Sequence, residues 1–212
     1  MSAMHHEWIK KNAQFSVLYP AVDKMIAGTC KICAGILVNS PTFRPFHENE
    51  NGGVSLLLAG AATAGLFPMS EYPVTKKAWA VIEKQRLGQR ITKADNSAVI
   101  KGRADLWLYD GMLAFSFEFK KTSERNCTDF GQKRIENDLC RSLNLAVDEI
   151  SRVDIMEYHK AMGGLIAPIF DFEKEQLYMD FAKKVPLCVT IGDNRSYKVY
   201  IYFSKKRIEM GQ

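Results

Sequence analysis

Apolar residues recur along this chain in two rhythms, one of three to four positions and one of two. The second is clearest between Lys101 and Lys120. There Leu106, Leu108, Leu113, Phe115, Phe117 and Phe119 fall so that one face of a two-stranded ribbon is wholly apolar. Asp110-Gly111 predicts a two-residue type I′ turn, which needs positive φ at both central positions. That turn pairs Tyr109 with Met112 and sets Leu108 opposite Leu113, Leu106 opposite Phe115, Ala104 opposite Phe117 and Gly102 opposite Phe119. The other face then carries Trp107 opposite Ala114, Asp105 opposite Ser116, Arg103 opposite Glu118 and Lys101 opposite Lys120. In this register Asp105 and Glu118 are diagonal neighbours, roughly 7–8 Å apart.

The longer rhythm predicts helices on either side. Trp8, Phe15, Leu18, Val22 and Ile26 predict a helix from Glu7 to about Ile26, kinked or divided at Pro20. Pro41 to Gly53 reads as an exposed loop. Val54 to Phe67 is the most apolar run, and it falls short of the ~17–25 residues that span a bilayer. It therefore predicts a buried helix, whose Ala59, Gly60, Ala61, Ala64 and Gly65 admit a close neighbour. Thr75 is placed to cap a helix reaching about Leu87, with Trp79, Ile82 and Arg86 along one side. Strands follow from about Arg90 through Thr122, with a turn near Ala94-Asp95-Asn96. Thr128 or Asp129 caps a further helix in which Ile135, Leu139, Leu143 and Val147 repeat every four residues, with Lys133, Arg134, Asp138 and Arg141 opposite. A strand from Leu165 to Phe172, a helix from Glu173 to Lys184 and a hairpin of Leu187–Ile191 with Tyr197–Phe203 complete the order.

Composition bounds this picture. With 212 residues, 47% of them apolar, the chain is long enough for a substantial core and is read as one domain. The formal charge of +5 is compatible with a polyanionic partner without requiring one. Five cysteines are an odd count, and the first residues show no apolar signal segment, so a reducing cytoplasm is the expectation. Cys30 and Cys33 form a C-x-x-C that lacks two further zinc ligands at matching spacing, and they are read as ordinary reduced cysteines.

Chemistry enters at the polar face of the first hairpin. Two converging carboxylates suit a hard divalent cation such as Mg²⁺, and Lys120 points to the same side as Glu118. Asp105, a gap of twelve, then Glu118-Phe119-Lys120, with the lead-in Gly102-Arg103-Ala104, resembles the D…(D/E)-x-K signature of the PD-(D/E)XK nuclease superfamily. The resemblance covers the middle of the chain, from about Lys77 to Ile150. It implies an α/β restriction-endonuclease-like core in αβββαβ order, a mixed sheet flanked by helices. That core would span about residues 75–172, with an N-terminal helical addition (1–70) and a C-terminal helix-hairpin addition (173–212).

The resemblance further implies a metal-dependent DNA nuclease, an endonuclease in the first instance, that leaves 5′-phosphates. Asp105, Glu118 and the carbonyl of Phe119 would hold Mg²⁺ or Mn²⁺, and Lys120 would position water or stabilise charge. Glu83 is the candidate for an additional acid from the preceding helix, with Glu71 and Glu7 as lesser alternatives and a solvated helix glutamate as the plain one. Gln132 would orient water or touch the DNA backbone, and Lys121, Arg125, Lys133 and Arg134 would meet phosphates. A homodimer is compatible with this reading, and no membrane is involved. Two alternatives stand beside it. One is a non-catalytic DNA-binding or protein-interaction module that keeps the nuclease fold. The other is an unrelated α+β interaction protein, the reading that holds if the hairpin register is wrong, with the hairpin a solvated edge on which Arg103 and Glu118 form an ion pair worth ~0.2–1 kcal/mol.

Overall fold

The structure, a computed structural model, describes residues 5–40, 42–47, 50–77, 81, 84, 89–97, 99–121, 129–150, 160–192 and 197–209. In chain order the elements are β1 (His5–Lys10), a 3-10 helix (Ala13–Leu18), α1 (Tyr19–Asn39), α2 (Glu50–Thr63), β2 (Phe67–Lys77), α3 (Lys93–Ser97), β3 (Val99–Tyr109), β4 (Leu113–Phe119), α4 (Asp129–Ile150), β5 (Lys160–Ile169), α5 (Glu175–Lys184), β6 (Leu187–Gly192) and β7 (Lys198–Ser204). All seven strands join one mixed sheet in the order β1-β6-β7-β5-β4-β3-β2. Among the described residues only β4 and β5 pair in parallel, and α4 lies between them in the chain.

Helices cover both faces, giving an α/β fold of three layers. On one face Met25 and Ile26 of α1 and Leu57 of α2 pack with Leu106, Phe115 and Phe117. On the other, Leu139 and Leu143 of α4 and Phe181 of α5 pack with Leu165, Tyr200 and Tyr202. The four-residue ridge expected along α4 is buried throughout, at Ile135, Leu139, Leu143 and Val147. The small residues expected to admit a close neighbour do so at one crossing. A Cβ built on Gly60 would lie 2.2 Å from the Thr29 hydroxyl, and one on Gly28 would lie 2.1 Å from the Gly60 carbonyl. Among the described residues no helix is long and apolar enough to cross a membrane.

Three expectations are corrected. Trp8 lies in β1, not in a helix running to Ile26. Its indole donates to Asp23 at 2.8 Å and its ring packs on Tyr19, so the recurring apolar positions come from two elements converging on one core. Asn12 caps the 3-10 helix, and Pro20 falls in the first turn of α1, where its missing N–H costs nothing. Thr75 is in β2, so the first strand of the meander precedes the expected helix instead of following it. Pro68 and Pro73 masked this strand, and they are tolerated because β2 is an edge. The expected turn at Ala94-Asp95-Asn96 is α3. Asp95 accepts from the Thr92 N–H at 2.9 Å while the Thr92 hydroxyl accepts from the Asp95 N–H at 3.1 Å, a reciprocal cap. Hydrogen bonds from Lys84 and Thr92 hold the Asp95 carboxyl down at about 2.

Candidate functional site

The first hairpin keeps its expected faces but not its expected register. Tyr109 pairs with Ala114 and Leu106 with Phe117, a shift of two from the two-residue turn. Gly111 has φ +98, whereas Asp110 does not enter the left-handed region that a type I′ turn demands. Instead the Asp110 carboxylate accepts from the N–H groups of Met112 at 2.9 Å and Leu113 at 2.7 Å, closing a longer loop. Because side chains alternate with period two, a shift of two leaves every residue on its face.

The shift changes what stands next to what. One step past the last pair, Leu106↔Phe117, the same register sets Asp105 directly across from Glu118 instead of diagonally. The sheet forks at this point. β3 stays with β2, pairing as far as Val99↔Lys77, while β4 stays with β5 through Phe119↔Ile166. In the fork the Asp105 carboxylate accepts the Phe119 N–H at 2.7 Å. A residue in an extended strand projects its N–H and C=O to the same edge, so the Phe119 carbonyl faces the fork as well. The Lys120 N–H goes the other way, to the Ile166 carbonyl at 2.9 Å. Asp105, Glu118 and Lys120 are all half-buried.

Between the fork and the hairpin loop, this face of the sheet is covered. Trp107, Ala114 and Ile150 cluster there, and Tyr72 stacks on the Trp107 ring at 4.8 Å. The hydroxyl of Ser116, two residues before Glu118, donates to the buried carboxylate of Glu149 in the last turn of α4. Sequence reasoning did not single out Glu149. It lies off the ridge of Leu143 and Val147, and its only signal is its place between the apolar Ala146 and Ile150. The opposite end of α4 approaches the fork. Ala146 and Val147 lie against Gly163, whereas Ile135 and Leu139 cluster with Leu165, Ala167 and Ile169, so the helix starts at the Glu118 end of the sheet.

The remaining candidates divide. Arg103 is paired with Glu71, 3.5 Å away across β2 and β3. Glu71 has φ +51 and lies between the pairs Ser70↔Leu106 and Tyr72↔Ala104, which puts it across from Asp105. Glu7 is in β1, at the far edge of the sheet. Lys121 turns to the α1–α2 side, where its ammonium donates to the His47 carbonyl at 2.8 Å and sits 5.2 Å above the Phe170 ring. Arg134 is exposed on α4. Gln132 and Lys133 belong to the first turns of α4, but their side chains lie outside the described residues, as do Glu83 and Arg125 altogether.

Cys30 and Cys33 lie one turn apart on α1, both with free thiols. Burial, then the neighbouring Cys30, push the Cys33 thiol up to about 12, away from the thiolate that metal or redox chemistry uses. Among the described residues no group of three or more His, Cys, Asp or Glu side chains converges. The fork brings together Asp105, Glu118 and the main chain of Phe119, with Lys120 two residues beyond Glu118. Comparison of the chain with family models, with curated proteins and with solved structures found no match.

Proposed function

We propose that the chain is a metal-dependent DNA nuclease built on a restriction-endonuclease-like core. The observation that carries the reading is the fork, where Asp105 and Glu118 stand across from one another on diverging strands with Lys120 two residues on. The element order supports it in outline: α2, the antiparallel strands β2, β3 and β4, the crossover α4 and then β5 follow the αβββαβ order of the superfamily, with α3 inserted between β2 and β3. In this assignment the core begins at α2 and β2, upstream of residue 75.

The residues at the fork fit Mg²⁺ or Mn²⁺. Each carboxylate offers two oxygens and about four lone-pair positions, so the Phe119 N–H on Asp105 does not exhaust it. Asp105, Glu118 and the Phe119 carbonyl would hold the ion, leaving positions for water and a phosphate oxygen. When bound, it supplies charge stabilisation at the scissile phosphate and acidifies water. The Phe119 N–H fixes the orientation of Asp105, and the rigid β4–β5 ladder fixes Glu118. Lys120 orients the attacking water or stabilises the charge that develops on the phosphate. Arg134, at the start of α4, is available to a DNA backbone entering the fork.

The test is incubation of the purified protein with supercoiled, linear and branched DNA, with and without Mg²⁺ or Mn²⁺. Cleavage that requires the metal and disappears in chelator is the expected outcome. Cleavage that persists in excess chelator would overturn the mechanism. Absence of cleavage on every form, together with a melting temperature unmoved by metal, would favour the non-catalytic module.

A further inference from the structure

At the end of the sheet away from the fork lies a cleft of about 570 Å³. It opens where β5 begins and β7 ends. Its lining residue Ala161 is four positions along β5 from Leu165, the partner of Glu118, or ~13 Å along the strand. Two segments without regular strand or α-helix structure form its walls, and both are fixed by side chains. In the first, Asn12 accepts the Gln14 N–H at 3.0 Å, while the Tyr19 hydroxyl bonds both the N–H and the C=O of Asn12 at 2.8 Å. In the second, Ser204 bonds the Lys206 N–H at 3.2 Å and its carbonyl at 2.5 Å. Arg207 then makes a two-pronged contact with Asp148, and Asn144 holds both the N–H and the C=O of Ile208.

The second wall therefore anchors through Arg207 and Ile208 and leaves Lys205 and Lys206 exposed on the cleft. Among the described residues no acidic side chain lines it. The rest of the lining is divided between an apolar part, with Phe15, Leu18, Met162 and Pro186, and the amides of Asn12 and Gln14. Two lysines at the mouth, an apolar wall that includes an aromatic ring, and a few amides are the recognition elements of an anionic head on a flat body. The volume lies in the ~300–1,000 Å³ range of small-molecule sites.

The geometry points to a second binding site here for a small phosphomonoester with an aromatic or apolar body, of the size of a nucleoside monophosphate. Lys205 and Lys206 receive the phosphate, Phe15 and Pro186 flank the body, and Asn12 and Gln14 meet its polar edge. The inference is independent of the nuclease reading, because none of these residues lies at the fork.

Calorimetric titration of the full chain with AMP, adenosine and ribose 5-phosphate, without divalent metal and at low salt, tests it. AMP should saturate one site, with adenosine and ribose 5-phosphate each at least about tenfold weaker. The double variant Lys205→Ala/Lys206→Ala should weaken AMP at least about tenfold without moving the melting temperature, since both side chains are exposed. Asp105→Asn/Glu118→Gln should bind AMP like the parent, which separates this site from the fork. AMP binding equal to that of ribose 5-phosphate, or unchanged in the lysine variant, would overturn the proposal. So would no saturable AMP binding, including the case in which a single-stranded oligonucleotide binds tightly and loses affinity in that variant.

Discussion

The two hairpins of this molecule are built of similar residues and behave oppositely. β6 and β7 pair over their whole length, from Leu187↔Phe203 to Gly192↔Lys198, and almost every residue in them is buried. β3 and β4 pair only from Tyr109↔Ala114 to Leu106↔Phe117 and then separate. The difference lies in what stands beside the last pair. In the closing hairpin buried residues continue along both strands, and the ladder runs on to its last pair. In the first hairpin two carboxylates meet, and one of them takes the amide of Phe119 that a ladder would have used. Complete pairing holds the closing hairpin together, and incomplete pairing opens the first one at Asp105 and Glu118.

The largest effect should separate the hairpins by stability. Phe203 is fully buried between the rings of Phe115 and Phe117, so Phe203→Ala should cost about 3–5 kcal/mol in urea unfolding. Glu118→Gln should leave the midpoint unchanged or raise it, as replacing a charged site residue often does. If Glu118→Gln destabilises as much as Phe203→Ala, the fork is structural and the comparison fails.

The next effect is on activity. Asp105→Ala, Glu118→Ala and Lys120→Ala should each lower metal-dependent DNA cleavage at least about a hundredfold, read on supercoiled plasmid, with the fold intact by circular dichroism. Lys121→Ala should spare most of it, because that ammonium is held by His47 and Phe170 on the other side of the sheet. Equal losses at both lysines would mean that the two faces act together.

A smaller loss is expected at the loop of the first hairpin. Asp110→Ala removes the acceptor for two backbone N–H groups and should cost ~1 kcal/mol. Hydrogen exchange should then show faster opening of β3–β4 than of β6–β7.

The smallest effect is a pH dependence beside β7. Burial opposes ionisation of Glu175, but Lys198 and Tyr200 outweigh it and hold its pKa below the ordinary value. A depressed carboxyl contributes stability above its unfolded pKa of about 4.3, and that contribution disappears as the pH falls through the folded value. Glu175→Gln should therefore flatten the acid limb of the urea midpoint below about pH 4 and leave the neutral value within ~1 kcal/mol. An unchanged acid limb would assign that dependence to other carboxylates.

Much of the fold was legible where one periodicity dominated. The ridge Ile135, Leu139, Leu143 and Val147 announced α4, and the alternation through Phe203 announced β7. The faces of the first hairpin were legible for the same reason, and its register was not. Faces depend on parity alone, whereas register depends on whether Asp110 takes positive φ or uses its carboxylate as an acceptor, a choice that the dipeptide does not encode. β2 was hidden by Pro68 and Pro73, which only an edge position excuses, and β1 by the accident that Trp8 falls in step with the helix it packs against. The contacts of Lys121 and Glu149 were hidden because both depend on segments distant in sequence, the loop at His47 and the strand at Ser116.

The pairing of β1 with β6 bears on how the molecule is made. His5 lies beside Gly192, and Trp8 beside Val189, so β1 waits for a strand that is synthesised long after it. At ~5–20 residues per second, the stretch between β1 and β6 takes roughly ten to forty seconds to synthesise before β1 finds its place. The meander β2-β3-β4 needs no such delay. The two sides of one sheet thus have different birth dates, and the side that carries the fork is complete before β1 is paired.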